Sequence, residues 1–66
     1  MHELFEVSKE IIGLTESEAI EKISEVDGLY QVESRDGEIC HVINGFRYDR
    51  VTMSIFNDKV TKAYIY

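Results

Sequence analysis

The chain has 66 residues, and residues 1–66 are predicted to form one small domain. A core of this size leaves little room for a deep active-site cleft. Seven basic and thirteen acidic side chains give a formal net charge of −6. A nucleic-acid-binding domain needs a basic face that displaces counterions from phosphates, so this balance argues against a nucleic-acid partner.

Neither an export signal nor a membrane span is visible in the sequence. The chain begins Met1-His2-Glu3 without a positively charged segment, and no apolar run is long enough for export or for crossing a bilayer. The one cysteine, Cys40, excludes an intrachain disulfide, so packing is expected to supply the stability. These features predict a cytoplasmic protein without a membrane partner.

The amino-terminal segment, residues 1–9, has two interpretations. Leu4 and Phe5 would share a helical face with Ile11 and Ile12, but a glycine follows soon afterwards. The segment is therefore predicted to form either a short helix or an ordered arm.

A helix over residues 16–25 has clear signals at both of its ends. Thr15 and Glu18 have the spacing of a capping box, in which each side chain bonds the backbone amide of the other residue. Asp27-Gly28 ends the helix. The stripe predicted to face the core consists of Ala19, Ile20 and Ile23.

Beyond this helix, the apolar residues alternate with polar ones, as they do in strands. Strands are predicted at residues 29–34, Arg50–Phe56 and residues 60–65. Asp36-Gly37 and Asn57-Asp58 are turn signals. The fold class is therefore α+β, with one helix packed on a small sheet.

Few residues in the chain suggest chemistry. Cys40 and His41 are adjacent in the chain, and neighbours on a strand point to opposite faces and cannot meet at one atom. No second cysteine completes a zinc site, and neither a nucleophile elbow nor a phosphate-binding glycine loop is present. The sequence predicts a protein that is not an enzyme and that has no metal site and no cofactor.

Asn44-Gly45 also has two interpretations. It is either the type I′ turn of a β-hairpin, since both central residues of that turn need a positive φ, or the tip of an exposed loop. In the second interpretation, Arg47 and Arg50 support the loop from below.

Tyr64 and Tyr66 lie two residues apart on the last predicted strand, so their rings are expected on one face. They are either partly covered packing residues or a surface for a partner or for self-association into a homo-oligomer.

With these elements placed, the chain resembles the potato inhibitor I family of serine protease inhibitors, the chymotrypsin-inhibitor and eglin type with its bacterial relatives. Residues 10–19, Glu-Ile-Ile-Gly-Leu-Thr-Glu-Ser-Glu-Ala, are similar to the entry into the single helix of that family. Residues 46–51, Phe-Arg-Tyr-Asp-Arg-Val, are similar to the segment that follows the protease-binding loop. The order of the two blocks and their spacing also fit.

The resemblance implies a mixed sheet in which residues 29–33 and 50–55 form parallel neighbours, with a long exposed loop at residues 36–46. Such a loop occupies a protease cleft in the manner of a substrate. The binding loop would comprise Ile43, Asn44, Gly45 and Phe46. Asn44 would enter the specificity pocket of a subtilisin-like enzyme, Asn44-Gly45 would be the scissile bond, and Arg50 would brace the loop.

Three positions differ from the family pattern. Ile43 and Gly45 have no side-chain acceptor for the supporting arginines, and Thr52 stands where the family has a second one. In the alternative function, the protein is a non-inhibitory binding module with the same fold, either as a monomer or as an oligomer. It would hold a protein partner or a small anionic ligand near Arg47 and Arg50. A third alternative is an unrelated helix with an antiparallel meander.

Overall fold

The structure, a computed structural model, describes residues 2–66; Met1 lies outside them. Within residues 2–66 the chain forms two helices and four strands: α1 (His2–Glu10), α2 (Glu16–Glu25), β1 (Leu29–Arg35), β2 (Glu38–Ile39), β3 (Arg50–Phe56) and β4 (Lys59–Ile65). The predicted α+β class is confirmed. None of the helices in this range is long and apolar enough to cross a membrane.

Residues 2–9 of the amino-terminal segment are helical, so the short-helix alternative is confirmed and the ordered arm is wrong, and α1 is a second helix beside the one that the predicted fold class named. The buried face of α1 and of the turn after it carries Leu4, Val7 and Ile11. This spacing of three and four residues is that of one helical stripe. Phe5 and Ile12, which were predicted to share the apolar face, are instead exposed to 52% and 46%.

The second helix begins with the predicted capping box. The backbone amide of Glu18 donates to the Thr15 hydroxyl at 3.2 Å, and the amide of Thr15 donates to the Glu18 carboxylate at 3.0 Å. The bond from the Thr15 amide lowers the pKa of Glu18 below its ordinary value. These bonds satisfy amide groups that the first turn of a helix leaves without partners.

The four strands form one mixed sheet in the order β2-β1-β3-β4. β1 and β3 are parallel, with Tyr30 beside Val51 and Gln31 beside Thr52. This pairing confirms the predicted parallel neighbours, and the antiparallel meander is wrong. β1 with β2 and β3 with β4 are antiparallel pairs.

Both predicted turn signals form tight turns. Asp36 and Gly37 join β1 to β2 with φ values of 54° and 85°, and Asn57 and Asp58 join β3 to β4 with φ values of 51° and 64°. Glycine, asparagine and aspartate are the residues that reach a positive φ at the lowest cost. The local chemistry of these two dipeptides therefore determines where the chain reverses.

The core lies between the two helices and one face of the sheet. Its buried apolar residues are Leu4, Val7, Ile11, Ala19, Ile23, Val51, Met53, Ile55 and Val60. Ile20 is only partly buried against this core. A Cβ at Gly28 would lie 2.6 Å from Leu4 Cδ1, so the absence of a side chain at Gly28 lets α1 approach the end of α2.

Candidate binding loop

The connection between the parallel strands ends in a segment without strand or helix, residues 40–49, which we call the connecting loop. The exposed loop was predicted at residues 36–46, but Asp36-Gly37 and β2 form a hairpin with β1. The amide of Cys40 donates to Glu33 O at 2.9 Å, which fixes the start of the connecting loop to β1. The exposed loop therefore begins four residues later than predicted and ends just before Arg50.

Asn44-Gly45 lies at the tip of this loop, so the hairpin interpretation is wrong. Gly45 has a φ of 129°, whereas Asn44 is not among the residues with a positive φ, and a type I′ turn would need both. All four predicted loop residues are exposed, with 69% of Ile43 and 65% of Phe46 accessible to solvent. The tip therefore presents two large apolar side chains on either side of Asn44-Gly45.

Arg50 is the residue that holds the tip. It is the first residue of β3 and is 5% exposed. Its Nη2 atom donates to Gly45 O at 2.7 Å, to Ile43 O at 3.4 Å and to Tyr66 O at 2.8 Å. The Arg50 guanidinium is thus bonded to the carbonyl groups on both sides of Asn44 and to Tyr66, the residue after β4. The predicted role of Arg50 as the loop brace agrees with this geometry.

Burying this guanidinium has a cost. Its Nε atom is buried and has no hydrogen-bond partner among residues 2–66. An unsatisfied buried donor is unfavourable, and the cost is larger for a charged group. The three bonds made by Nη2 must offset the cost of the unpaired Nε atom. The buried position of Arg50 therefore depends on its contacts with the loop, just as the position of the loop depends on Arg50.

Arg47 has a different role from the one predicted for it. Its guanidinium donates two bonds to the Asp49 carboxylate, Nε to Oδ1 and Nη2 to Oδ2, both at 2.8 Å. This pairing raises the pKa of Arg47 and lowers that of Asp49. Only the backbone of Arg47 secures the loop, since its amide donates to Tyr66 O at 3.0 Å.

Gln31 is a loop contact that the sequence did not reveal. Its Oε1 accepts from the amide of Ile43 at 3.1 Å, and its Nε2 donates to the Thr52 hydroxyl at 3.0 Å. Thr52 occupies the place of the second arginine in the family pattern. The Gln31 amide thus links Thr52 to the loop, and no local signal on β1 could have identified this link.

One peptide unit of the tip has no partner. Ile43 O and Gly45 O both accept bonds from Arg50, but neither Asn44 O nor the amide of Gly45 makes a hydrogen bond within residues 2–66. The peptide bond between Asn44 and Gly45 therefore lies unsupported between two supported neighbours. Solvent, a partner or an attacking group can reach it.

Tyr64 on β4 and Tyr66 just after it lie close together, as predicted, with ring centroids 6.3 Å apart. Tyr66 also packs edge-on against Phe46, with centroids 6.1 Å apart, so its ring supports the connecting loop. The Tyr64 hydroxyl donates to Glu33 at 2.6 Å on the outer face of the sheet, opposite the helices. Both side chains thus have partners within the chain, although Tyr66 remains 42% exposed.

Glu33 is the centre of a small polar cluster beside the tyrosines. It accepts from Tyr64 and from the Ser54 hydroxyl, and Lys62 lies 3.7 Å away. The hydrogen bond from Tyr64, followed by those of Ser54 and Lys62, lowers the pKa of Glu33 and outweighs the effect of burial. The same bond raises the pKa of Tyr64.

Glu33→Gln is expected to lower the free energy of unfolding at neutral pH by about 1 kcal/mol, because the charge-assisted bonds become neutral ones on a partly solvated surface. Since folding lowers the pKa of Glu33, this stabilisation is complete above its ordinary value of 4.5 and decreases as the pH falls through the folded value. Urea unfolding of both proteins across the acidic range measures the difference. A gap between them that persists in strong acid would contradict this account of Glu33.

Cys40 and His41 contribute no recognisable site. Cys40 is partly buried, and its thiol lies 4.0 Å from Glu38 O. Within residues 2–66, no group of three or more histidine, cysteine or acidic side chains could hold a metal ion. The candidate site is therefore the connecting loop together with Gln31, Arg50 and Tyr66.

Comparisons with family models, with curated proteins and with solved structures found no match to this chain. The resemblance to the potato inhibitor I family therefore remains a prediction from the two sequence blocks. The function has to be inferred from the geometry of the loop.

Proposed function

We propose that this protein is a binding protein that presents the tip of the connecting loop, Ile43 to Phe46, to the cleft of a subtilisin-like serine protease and inhibits it. The observation that supports this most directly is the contact of one buried guanidinium, that of Arg50, with the carbonyl groups of Ile43 and Gly45. A loop that is held on both sides of one exposed residue offers that residue to a pocket in a fixed orientation.

Such a loop binds well because it is ordered before it meets its target. Ordering a flexible segment on binding costs about 0.5–1.5 kcal/mol for each immobilised side chain, in addition to the backbone cost. Charge-assisted bonds from Arg50 and the bond from Ile43 to Gln31 meet part of that cost within the folded protein. The fold thus supplies the preorganisation that an inhibitory loop needs.

The roles of the tip residues follow from their positions. Asn44 would enter the specificity pocket, and Asn44-Gly45 would lie at the catalytic serine as the bond open to attack. Ile43 and Phe46 would add apolar contact area on either side. After cleavage, Arg50 would still hold Ile43 O and Gly45 O, so the new ends would stay close together and rejoining would compete with release.

The test exchanges the residue at position 44 and measures inhibition of two proteases. Asn44→Leu is expected to strengthen inhibition of a subtilisin-like enzyme with an apolar pocket, and Asn44→Lys to shift inhibition toward a trypsin-like enzyme. The two variants are matched controls because each should fail on the enzyme that the other inhibits. If neither the native protein nor either variant slows any enzyme of a broad panel while the fold is intact, the inhibitor proposal is wrong.

The second candidate is a non-inhibitory module that binds another protein through the same loop, alone or as a homo-oligomer. Large apolar side chains are exposed on and beside the connecting loop, Ile39 to 88% and Tyr48 to 65%. A protein surface could cover them without any use of Asn44. Light scattering at high concentration tests self-association, and loss of the assembly in Phe46→Ser would locate it on this loop.

A small anionic ligand near Arg47 and Arg50 has less support. Asp49 occupies the fork of Arg47, and the Nη2 atom of Arg50 is engaged with three carbonyl oxygens. Titration with inorganic phosphate distinguishes this ligand from a protein partner. Arg50→Ala would abolish phosphate binding, whereas Asn44→Leu would change it little.

A further inference from the structure

The tip of the connecting loop combines a reactive dipeptide with an unprotected backbone. The chain contains two asparagines, Asn44 and Asn57, and only Asn44 is followed by glycine. A Cβ built on Gly45 would have no atom within 4 Å apart from those of Asn44 and Phe46, so no other part of the chain shields the peptide nitrogen from that side. Among the hydrogen bonds of residues 2–66, none involves the amide of Gly45.

We propose that Asn44 is a site of spontaneous deamidation, a covalent modification of the loop that requires only water. The Gly45 nitrogen loses its proton to solvent and attacks Cγ of Asn44. A bond forms between that nitrogen and Cγ, the bond from Cγ to Nδ2 breaks, and ammonia leaves with the proton it gains. Water then opens the resulting succinimide, which yields aspartate or isoaspartate at position 44.

The fold permits the motion that this ring closure needs. The peptide unit between Asn44 and Gly45 can rotate about ψ of Asn44 and φ of Gly45 while both neighbouring units stay in place. Arg50 holds those neighbours through Ile43 O and Gly45 O, and neither bond has to break. Since glycine has no Cβ, its φ can change widely at little cost. The nucleophile and its target also lie in adjacent residues, so their effective concentration is high.

Asn57 provides the contrast within the same molecule. Asn57 lies in the turn between β3 and β4. Its backbone amide donates to Asp36 Oδ1 at 2.8 Å, and Asp58 O, in the next residue, accepts from the backbone amide of Glu16 at 3.0 Å. Asp58, the residue after Asn57, has a side chain and a φ of 64°, so the backbone rotation that ring closure needs is restricted here. The same chemistry is therefore expected to be slow at Asn57.

The modification would change the properties of the loop. Either product places a carboxylate at the tip in place of a neutral amide. Isoaspartate also inserts a methylene group into the backbone between Asn44 and Gly45, which displaces Gly45 O from Arg50. The proposal does not depend on inhibition, because the reaction involves only Asn44, Gly45 and water.

The test follows the amide groups of the purified protein in mildly alkaline buffer at physiological temperature, in the folded state and in urea. Peptide mapping by mass spectrometry detects the mass gain from replacing an amide by an acid and assigns it to a residue. We expect the gain at Asn44 in the folded protein, at a lower rate than in urea because Arg50 holds the neighbouring carbonyl groups, while the side chain of Asn57 keeps its amide. Asn44→Gln is the chemical control, because the longer side chain would have to close a larger ring.

Two outcomes would overturn the proposal. An Asn44 that reacts in urea but stays intact in the folded protein would show that the fold protects the tip. An Asn44 that stays intact in both states would show that the dipeptide does not react in this chain. Circular dichroism before and after incubation ensures that the folded sample remained folded.

Discussion

Replacing Arg50 by alanine is expected to lower the free energy of unfolding by about 2–4 kcal/mol, because charge-assisted hydrogen bonds to three carbonyl oxygens are lost together. The loss is smaller than the sum of three separate bonds, since the exposed carbonyls of Ile43 and Gly45 regain water. The larger consequence is local. The carbonyl groups of Ile43 and Gly45 lose their link through Arg50 to Tyr66, so the tip becomes more mobile and any partner of the loop must order it on binding.

Urea unfolding gives the stability of Arg50→Ala, and hydrogen exchange gives the local effect. The amides of Ile43 and Arg47, which donate to Gln31 and Tyr66, should exchange faster in the variant. Arg47→Ala is the matched control, because it removes an equal charge from an exposed pair with Asp49. Equal losses of protection in both variants would mean that Arg50 does not brace the loop.

Arg50→Lys separates geometry from charge. Lysine keeps the positive charge, but its shorter side chain places the ammonium about one bond short of the position of Nη2, so it cannot reach all three acceptors in the same geometry. We expect it to retain part of the stability and to leave the Arg47 amide more exchangeable than in the native protein. Full protection of that amide in Arg50→Lys would assign the brace to charge alone.

Much of the fold follows from local signals that the sequence displays. The capping box of Thr15 and Glu18 and the turn at Asp36-Gly37 depend on residues close together in the chain. Parallel pairing of β1 with β3 came instead from the family resemblance, because alternating apolar residues do not specify strand direction. The structure confirms the pairing without testing the function that the resemblance implies.

The candidate site was harder to predict because its contacts join distant segments. Gln31 reaches the amide of Ile43 across the sheet, and a polar residue on a strand has no feature that indicates such a partner. Arg47 was expected to support the loop from below, but its guanidinium instead donates to the carboxylate of Asp49, two residues away. The contact of Arg50 with the loop was predictable, because the loop interpretation of Asn44-Gly45 and the resemblance both placed Arg50 beneath the tip.

The prediction of the helical core had errors on both helices: Phe5 and Ile12 are exposed, and the stripe of α2 differs from the predicted one. Ile23 is fully buried, whereas Ile20 is only partly buried against the core. Both helices lie on one face of the sheet, where α1 contacts α2 as well as β4. The sequence left residues 1–9 open between a short helix and an arm, so the prediction did not include the contact between α1 and α2.

Ile23→Ala is therefore expected to be more damaging than Ile20→Ala or Ile12→Ala, with a cost of about 2–5 kcal/mol from the lost burial and the cavity that remains. A small domain has a total stability of only about 5–15 kcal/mol, so much of the variant would unfold in little urea. Ile12→Ala is the matched control, because Ile12 is 46% exposed and leaves no enclosed cavity. Ile20→Ala should fall between the two. The urea midpoints of the three variants test this order. Ile12→Ala and Ile23→Ala remove the same atoms. If Ile12→Ala is as unstable as Ile23→Ala, burial does not determine the cost of the substitution.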